Sequence, residues 1–225
     1  MAGGRRPLAP IRPGLEFGLK RGSVPIDDEK IQTRRSEAGR GEEVPMAKSK
    51  GTNLIDLVKF LRKEREAALG ALAPELHHYL DERVTVSAWY PEKDCYLLMR
   101  AMERLMPDSS AELYRKIGIL NAKNHLGGSY RHLLSDLRPQ TIPIRAEALW
   151  KSMHDTGELR VQIEDEGSGR AVLRGYESPG PEMCLVIESY LAEVLRMADL
   201  GSIHSAKESC VHRGNPECVW HFAAG

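Results

Sequence analysis

The sequence predicts an α+β fold in which N-terminal helices precede a small antiparallel sheet of about four strands with a long amphipathic helix packed on it. Apolar residues recur at helical spacing up to about residue 154. The pattern then alternates, with Leu159, Val161 and Ile163 between polar neighbours, as in a half-buried strand. A later apolar stripe from Cys184 to Ala198 has helical period, and such a helix buries its stripe against a sheet.

The helical part is expected to contain a series of short and medium helices separated by Pro and Gly. Asn53 can cap the first of them, with Asp56 in its first turn, and Gly127-Gly128 ends another. The predicted starts are Asn53, Pro74, the turn Trp89-Tyr90-Pro91, Asp108 or Ser109, a position near Tyr130, and Ile144, whose helix runs to His154.

The sheet part is expected to consist of two hairpins that flank the amphipathic helix. Gly167-Ser168-Gly169 supplies the first turn, and Gly201 lies where a helix C-cap glycine is expected. The remaining predicted elements are a return strand Ala171–Tyr176, strands Ile203–Cys210 and Cys218–Phe222, and a turn at Arg213–Pro216.

Composition sets the broad class of protein. The 32 Lys and Arg residues balance 32 Asp and Glu, which argues against a nucleic-acid binder held by phosphate contacts. No apolar run approaches a membrane span or a signal peptide, so a cytoplasmic location with reduced thiols is expected. Residues 1–50 are predicted to be a disordered tail, with Met46 as a candidate true start, and residues 51–225 to be one domain.

Three cysteines near the C-terminus form a candidate metal site. Cys210 and Cys218 bracket a Gly-Asn-Pro turn and so face each other across a hairpin mouth, and Cys184 begins the amphipathic helix. A structural zinc needs four ligands, and Glu208, or His204 or His212, is the candidate for the fourth. The alternative is that Cys184 is a core thiol, as Cys95 is expected to be.

The cysteine, the helix and the Cys-x7-Cys hairpin resemble the 4-vinyl-reductase domain, over residues 51–225. This group is related in fold to Golgi transport-particle subunits and haem nitric-oxide-binding domains, and the helical part resembles uncharacterised myxobacterial paralogues. The resemblance implies an apolar ligand pocket, frequent dimerisation, and zinc held by three cysteines and a glutamate. That glutamate position is Lys207 here, with Glu208 one place late. Haem is expected to be unlikely, because the Tyr-x-Ser-x-Arg signature of the nitric-oxide binders is absent.

The predicted function is sensing of a small apolar or aromatic molecule, with output through a homodimer or an unknown protein partner. Trp89, Tyr90, Tyr130 and Trp150 are the candidate ligand-binding residues, although each could equally be ordinary core. No catalytic residue is predicted, because the sequence contains no nucleophile elbow, zinc-protease or dinucleotide motif. The alternatives are an adaptor of the same fold without a ligand, and a haem-based gas sensor using a histidine, with His125 and His154 as candidates.

Overall fold

The computed structural model describes residues 46–225 apart from 107–109, 134–137, 139, 166 and 199. Within these residues it has the expected α+β architecture, with helices first and an antiparallel sheet after them. The elements are β1 Lys48–Lys50, α1 Ile55–Lys63, α2 Arg65–Ala71, α3 His78–Asp81, β2 Trp89–Pro91, α4 Glu92–Leu105, α5 Ser110–Gly127, α6 Ile142–Met153, β3 Glu158–Asp165, β4 Ser168–Arg174, α7 Met183–Met197, β5 Ile203–Ser209 and β6 Glu217–Ala224.

The helical part differs from the prediction mainly at its boundaries. Asn53 lies in a 3-10 turn and caps no helix, because α1 begins at Ile55 with Leu54 as its N-cap residue. Of the short helix predicted around Tyr130–Leu137, Arg131–Leu133 form a 3-10 turn and residues 134–137 lie outside the described residues, as do the predicted caps Asp108 and Ser109. None of the described helices combines the length and apolar composition that crossing a membrane requires.

A two-stranded sheet that the sequence analysis missed holds the helical part to the end of α6. The segment Trp89–Pro91, expected to be a turn, is β2 and pairs with β1 in the order Lys48 to Pro91 and Lys50 to Trp89. The N–H of Glu92 donates to the carbonyl of Ala47 at 2.7 Å, and Asp155 exchanges hydrogen bonds with Lys48. Strand β1 therefore fixes the start of α4 beside the end of α6.

The main sheet has the strand order β3-β4-β6-β5, and all neighbours are antiparallel. Both predicted hairpins are present, and Gly214 provides the left-handed residue that the second turn needs (φ +82°). Helix α7 packs its apolar stripe on this sheet and crosses α5 closely on its other side. A Cβ at Gly118 of α5 would lie 2.1 Å from the hydroxyl of Ser189, so the crossing requires glycine there.

Candidate functional site

A mostly apolar cavity lies where α4, α6 and α7 meet. Its volume is about 60 Å³. An engineered apolar cavity of about 150 Å³ holds benzene or xenon, so this cavity as it stands has room for a smaller molecule. Its lining includes Asn53, Glu92, Cys95, Met99, Asn121, Ile142, Ala146, Leu149, Trp150, Met153, His154, Leu159, Met183, Val186, Ile187, Tyr190, Leu191 and Val194.

A buried carboxylate, Glu92, is the most unusual group in this wall. Glu92 lies in the first turn of α4 and is only 2% exposed. The Tyr176 hydroxyl donates to Glu92 Oε1 at 2.6 Å, and Nδ1 of His154 lies 3.2 Å from Oε2. Burial acts to raise the pKa of Glu92, but His154 and Tyr176 outweigh that effect and lower the pKa. The carboxylate is therefore stable in an otherwise apolar interior.

His154 follows α6 and is held by stacking as well as by hydrogen bonding. Its ring lies 4.1 Å from the Trp150 ring, centroid to centroid, at 17°. The Trp150 indole N–H is shared between the carbonyls of Thr156 and Gly157, each at 3.1 Å. With Nδ1 of His154 engaged by Glu92, Nε2 is the ring nitrogen left to meet a ligand. This cluster thus presents one oriented imidazole at an apolar cavity.

Of the four aromatic residues predicted to bind a ligand, the structure places Trp150 in the cavity wall and the other three outside it. Trp89 is 42% exposed and stacks under the Lys50 ammonium, 3.9 Å from the ring centroid. The Tyr90 hydroxyl accepts the Thr85 N–H, because β2 carries this side chain toward the helical core. Tyr130 packs edge-on against His125 and behind the lining residues Leu149 and Met153, without lining the cavity itself.

Sequence reasoning missed Glu92 and Tyr176, and it named His154 only as one of two scattered histidines. Glu92, His154 and Tyr176 are separated by 62 and 22 residues, so no spacing rule joins them. The available signal was a glutamate at the start of the amphipathic helix after Pro91, where an acidic side chain is also ordinary helix-dipole chemistry. Because helix-dipole chemistry already accounts for a glutamate at this position, no sequence pattern singled out Glu92 as a residue of the cavity wall.

His125, the other candidate histidine, lies behind the cavity on α5. It is 2% exposed, and Nδ1 lies 3.2 Å from the hydroxyl of Tyr190, which does line the cavity. Burial lowers the pKa of His125 to about 4, so the ring is neutral at physiological pH. His125 is not among the lining residues and reaches the cavity wall through its contact with Tyr190.

The three predicted metal-binding cysteines do converge, at the start of α7 under the last hairpin. Cys184 Sγ lies 3.7 Å from Cys210 Sγ and 3.9 Å from Cys218 Sγ, and all three residues are buried. The contact between the Cys184 and Cys218 thiols raises the pKa of Cys184 and lowers that of Cys218. Cys95 lies apart from them in the helical core, as expected.

The predicted fourth ligand, Glu208, does not join the cysteines. Strand alternation and a register shift between Lys207 and Ser209 turn Glu208 outward, where it binds His221 at 2.6 Å and Arg170 at 3.6 Å. Lys207 faces the thiols instead. His212 binds the Ser178 hydroxyl, and His204 is exposed. Among the described residues, three thiols form the group able to hold a metal, one ligand short of a structural zinc site.

The fold of the chain is similar to that of solved H-NOX proteins. No protein-family model matches the sequence, and no curated protein matches it either. Among solved structures, the chain is similar to an H-NOX protein from S. oneidensis in the Fe(II)NO state (TM-score 0.59, 12% identity, covering 78% of this chain and 99% of that one). It is similarly close to a mutant Fe(II) unliganded H-NOX protein from K. algicida (0.58, 11%, 78% and 96%) and a mutant of T. Tengcongensis H-NOX (0.56, 11%, 77% and 96%).

These likenesses establish the fold and correct one expectation. The predicted relation to the nitric-oxide-sensor fold group is confirmed, whereas the 4-vinyl-reductase name and the myxobacterial likeness gain no support. The expectation that haem is unlikely is contradicted, because the neighbours are haem proteins, two of them described by the distortion of their porphyrin or haem. The absence of one sequence signature was too narrow a basis for excluding haem from this fold.

The cavity offers a ligand for haem iron, but its lining and its size are unfavourable for the porphyrin. His154 can ligate iron through Nε2 while a carboxylate holds Nδ1, an arrangement that orients a metal-bound histidine and raises its basicity. The wall residues that the structure describes contain no Lys or Arg to pair with a propionate. A porphyrin is also several times larger than benzene, so uptake of haem requires the wall to open.

Proposed function

We propose that this chain is a sensory domain that binds a small molecule or gas in the cavity between α4, α6 and α7. The observation that carries this proposal is an apolar cavity whose wall presents an oriented imidazole, His154, backed by a buried carboxylate, Glu92. Such a combination of apolar lining and a few convergent polar groups is typical of ligand sites. The likeness in fold to H-NOX sensor domains supports the same function.

Haem-based gas sensing is the form of this function that the neighbours favour. Bound haem iron supplies a coordination position at which a diatomic gas can bind. His154 would hold the iron through Nε2, because Glu92 fixes Nδ1 and Trp150 fixes the plane of the ring. The apolar side chains of α6 and α7 would surround the porphyrin and keep water away from the iron.

A hemin titration of the full chain tests this form directly. We expect a one-to-one complex whose Soret band shifts from that of free hemin, and whose reduced form shifts again with nitric oxide or carbon monoxide. His154→Ala should abolish the defined shift, because it removes the axial nitrogen. His125→Gln is the matched control, since it changes a buried histidine that does not line the cavity. Equal spectra for the two variants would contradict the assignment of His154.

Direct binding of a small apolar molecule is the second candidate, and the cavity volume is the observation that favours it. A space of about 60 Å³ with mostly apolar walls, and with no Lys or Arg among the described lining residues, suits a compact neutral ligand better than a dianionic porphyrin. A thermal-shift screen of small apolar compounds and xenon, in the absence of hemin, tests it. A ligand at 100 times its Kd would stabilise the folded chain by about 2.7 kcal/mol.

The way in which the polar groups of the wall are used favours a binding role over a catalytic one. The Glu92 carboxylate and the Trp150 N–H are already hydrogen-bonded within the protein, which suits orientation of a bound group more than turnover. Output through a homodimer or a protein partner stays a prediction. If neither hemin nor any small molecule binds, the ligand-free adaptor becomes the better hypothesis for this fold.

A further inference from the structure

The cysteine cluster lies outside the cavity lining and has no part in the function proposed above. Its three thiols come from separate elements: Cys184 from the first turn of α7, Cys210 from the end of β5 and Cys218 from the start of β6. Their sulfur atoms all lie within 4.8 Å of one another. Any one of these cysteines by itself would be an ordinary core thiol. Three sulfur atoms this close together form a chemical centre.

A buried ammonium completes this centre. Nζ of Lys207 is shielded from solvent, makes no hydrogen bond that meets normal geometry, and lies 4.8 Å above the Trp220 ring centroid. A lysine in this position opposes the entry of a metal cation and stabilises negative charge on sulfur.

We propose that Cys184, Cys210, Cys218 and Lys207 form an oxidative modification site for hydroperoxides, at which Cys218 reacts first and Cys184 then closes a disulfide with it. Cys218 is the first to react because the Val211 N–H donates to its sulfur at 3.5 Å and the Lys207 ammonium faces the thiols, and both groups stabilise a thiolate. Cys184 is the resolving residue because it touches both other sulfurs.

The chemistry balances with the hydroperoxide as the oxidant. The Cys218 thiolate attacks the outer oxygen of the peroxide, the O–O bond breaks, and the products are the Cys218 sulfenic acid and an alcohol or water after protonation. The Cys184 thiol then attacks the sulfenic sulfur and releases water as the S–S bond forms. The two sulfurs must approach from 3.9 Å to about 2.05 Å, which side-chain rotation can supply.

The burial of the cluster limits which oxidants can reach its thiols. All three cysteines are at most 5% exposed, so the oxidant must be as compact as hydrogen peroxide. Cys95, which is 4% exposed in the helical core, provides a control of equal burial outside the group of three thiols. Reaction at the cluster and not at Cys95 would therefore report on chemistry and not on access.

The test treats the full chain with hydrogen peroxide, alkylates the remaining thiols, and maps the peptides by mass spectrometry. We expect a Cys184–Cys218 disulfide while Cys95 stays reduced. Cys184→Ser should stop the reaction at a Cys218 sulfenic acid that dimedone captures, and Cys218→Ser should prevent modification at the cluster. Lys207→Met should slow the reaction about tenfold, and Lys207→Arg should restore it, because the effect depends on charge.

Three results would overturn the proposal. Oxidation of Cys95 as fast as the cluster would show that the environment gives no reactivity. An unchanged rate in Lys207→Met, with native circular dichroism, would remove the charge partner from the account. One equivalent of tightly bound metal in the purified chain, lost in Cys218→Ser, would make the cluster a metal centre instead.

Discussion

The Glu92 cluster and the cysteine cluster both bury a charged group in the apolar interior, but they satisfy that charge very differently. The Glu92 carboxylate accepts a hydrogen bond from Tyr176 at 2.6 Å and contacts His154 at 3.2 Å. The Lys207 ammonium is surrounded by thiols and an indole ring and has no conventional acceptor. One cluster lines the cavity, and the other lies at the start of α7 under the last hairpin.

This difference gives the two clusters different roles. The Glu92 cluster orients a ligand-binding side chain, whereas the cysteine cluster favours a reactive thiol. A fully hydrogen-bonded network in a low-dielectric interior fixes its members in one geometry, which is what a ligand-holding imidazole needs. A charge with only weak acceptors holds its neighbours loosely and shifts their protonation, which is what a reactive thiol needs. The contrast therefore predicts that substitutions in the two clusters will affect stability to very different extents.

The largest effect is expected from Glu92→Ala. This change leaves the Tyr176 hydroxyl and the His154 imidazole buried without their partner, and removing one member of a buried pair costs about 3–5 kcal/mol. Urea unfolding measures the cost as a shift in midpoint. Glu92→Gln, which keeps the shape and one acceptor, is the control and should cost less. A loss below about 1 kcal/mol in Glu92→Ala would remove the distinction between the clusters.

His125 adds a third case to the comparison, because it is a buried titratable group whose side-chain neighbour is the neutral hydroxyl of Tyr190. Its pKa is lowered to about 4, mainly by burial, with smaller opposing contributions from the Thr52 backbone and from Asp56. The folded chain therefore binds this proton less readily than the unfolded chain. Its effect on stability is nil above pH 6.5 and grows to a loss of about 3 kcal/mol as pH falls to 4.

Urea unfolding across this pH range checks the His125 prediction. His125→Gln should flatten the stability profile between pH 6.5 and 4, whatever it costs at neutral pH. The Glu92 carboxylate affects stability in a lower pH range. Because its pKa is lowered in the folded chain, its stabilising contribution is present at neutral pH and is lost only below about pH 4.5. A profile of His125→Gln as steep as that of the wild type would place the titration elsewhere.

The smallest stability effect is expected from Lys207→Met. An apolar side chain of similar length removes a buried cation without a good acceptor, and such replacements are often neutral or stabilising. We expect a change within about 1 kcal/mol of zero in urea unfolding. A loss comparable to that in Glu92→Ala would mean that Lys207 is a structural ion pair and would undermine its role beside the thiols.

Local patterns predicted the fold wherever one element carries its own signal. Alternation at Leu159–Ile163 and the apolar stripe of α7 gave the hairpin and its covering helix, and both are confirmed. The β1–β2 pair could not be found this way. It joins three residues to three others about 40 positions away, and neither triplet alternates. Trp89-Tyr90-Pro91 carries a turn-like composition that tertiary pairing overrides.

The candidate sites show the same limit. Cysteine spacing was enough to bring Cys184, Cys210 and Cys218 together, because a helix start and a hairpin mouth are local features. Which of Lys207 and Glu208 faces them depends on a register shift that the sequence does not reveal. The Glu92–His154 contact depends on β1 clamping two helix ends together, a long-range arrangement without a sequence motif.

The measurement that most directly tests the central claim, that the cavity is the binding site, compares two tryptophan substitutions on α6. Ala146 lines the cavity, whereas Ile144 is 74% exposed two residues earlier. Hemin titrated into wild type, Ala146→Trp and Ile144→Trp should bind at least about tenfold more weakly to Ala146→Trp alone, because the indole fills the free space. Equal hemin affinity in all three chains would contradict the account.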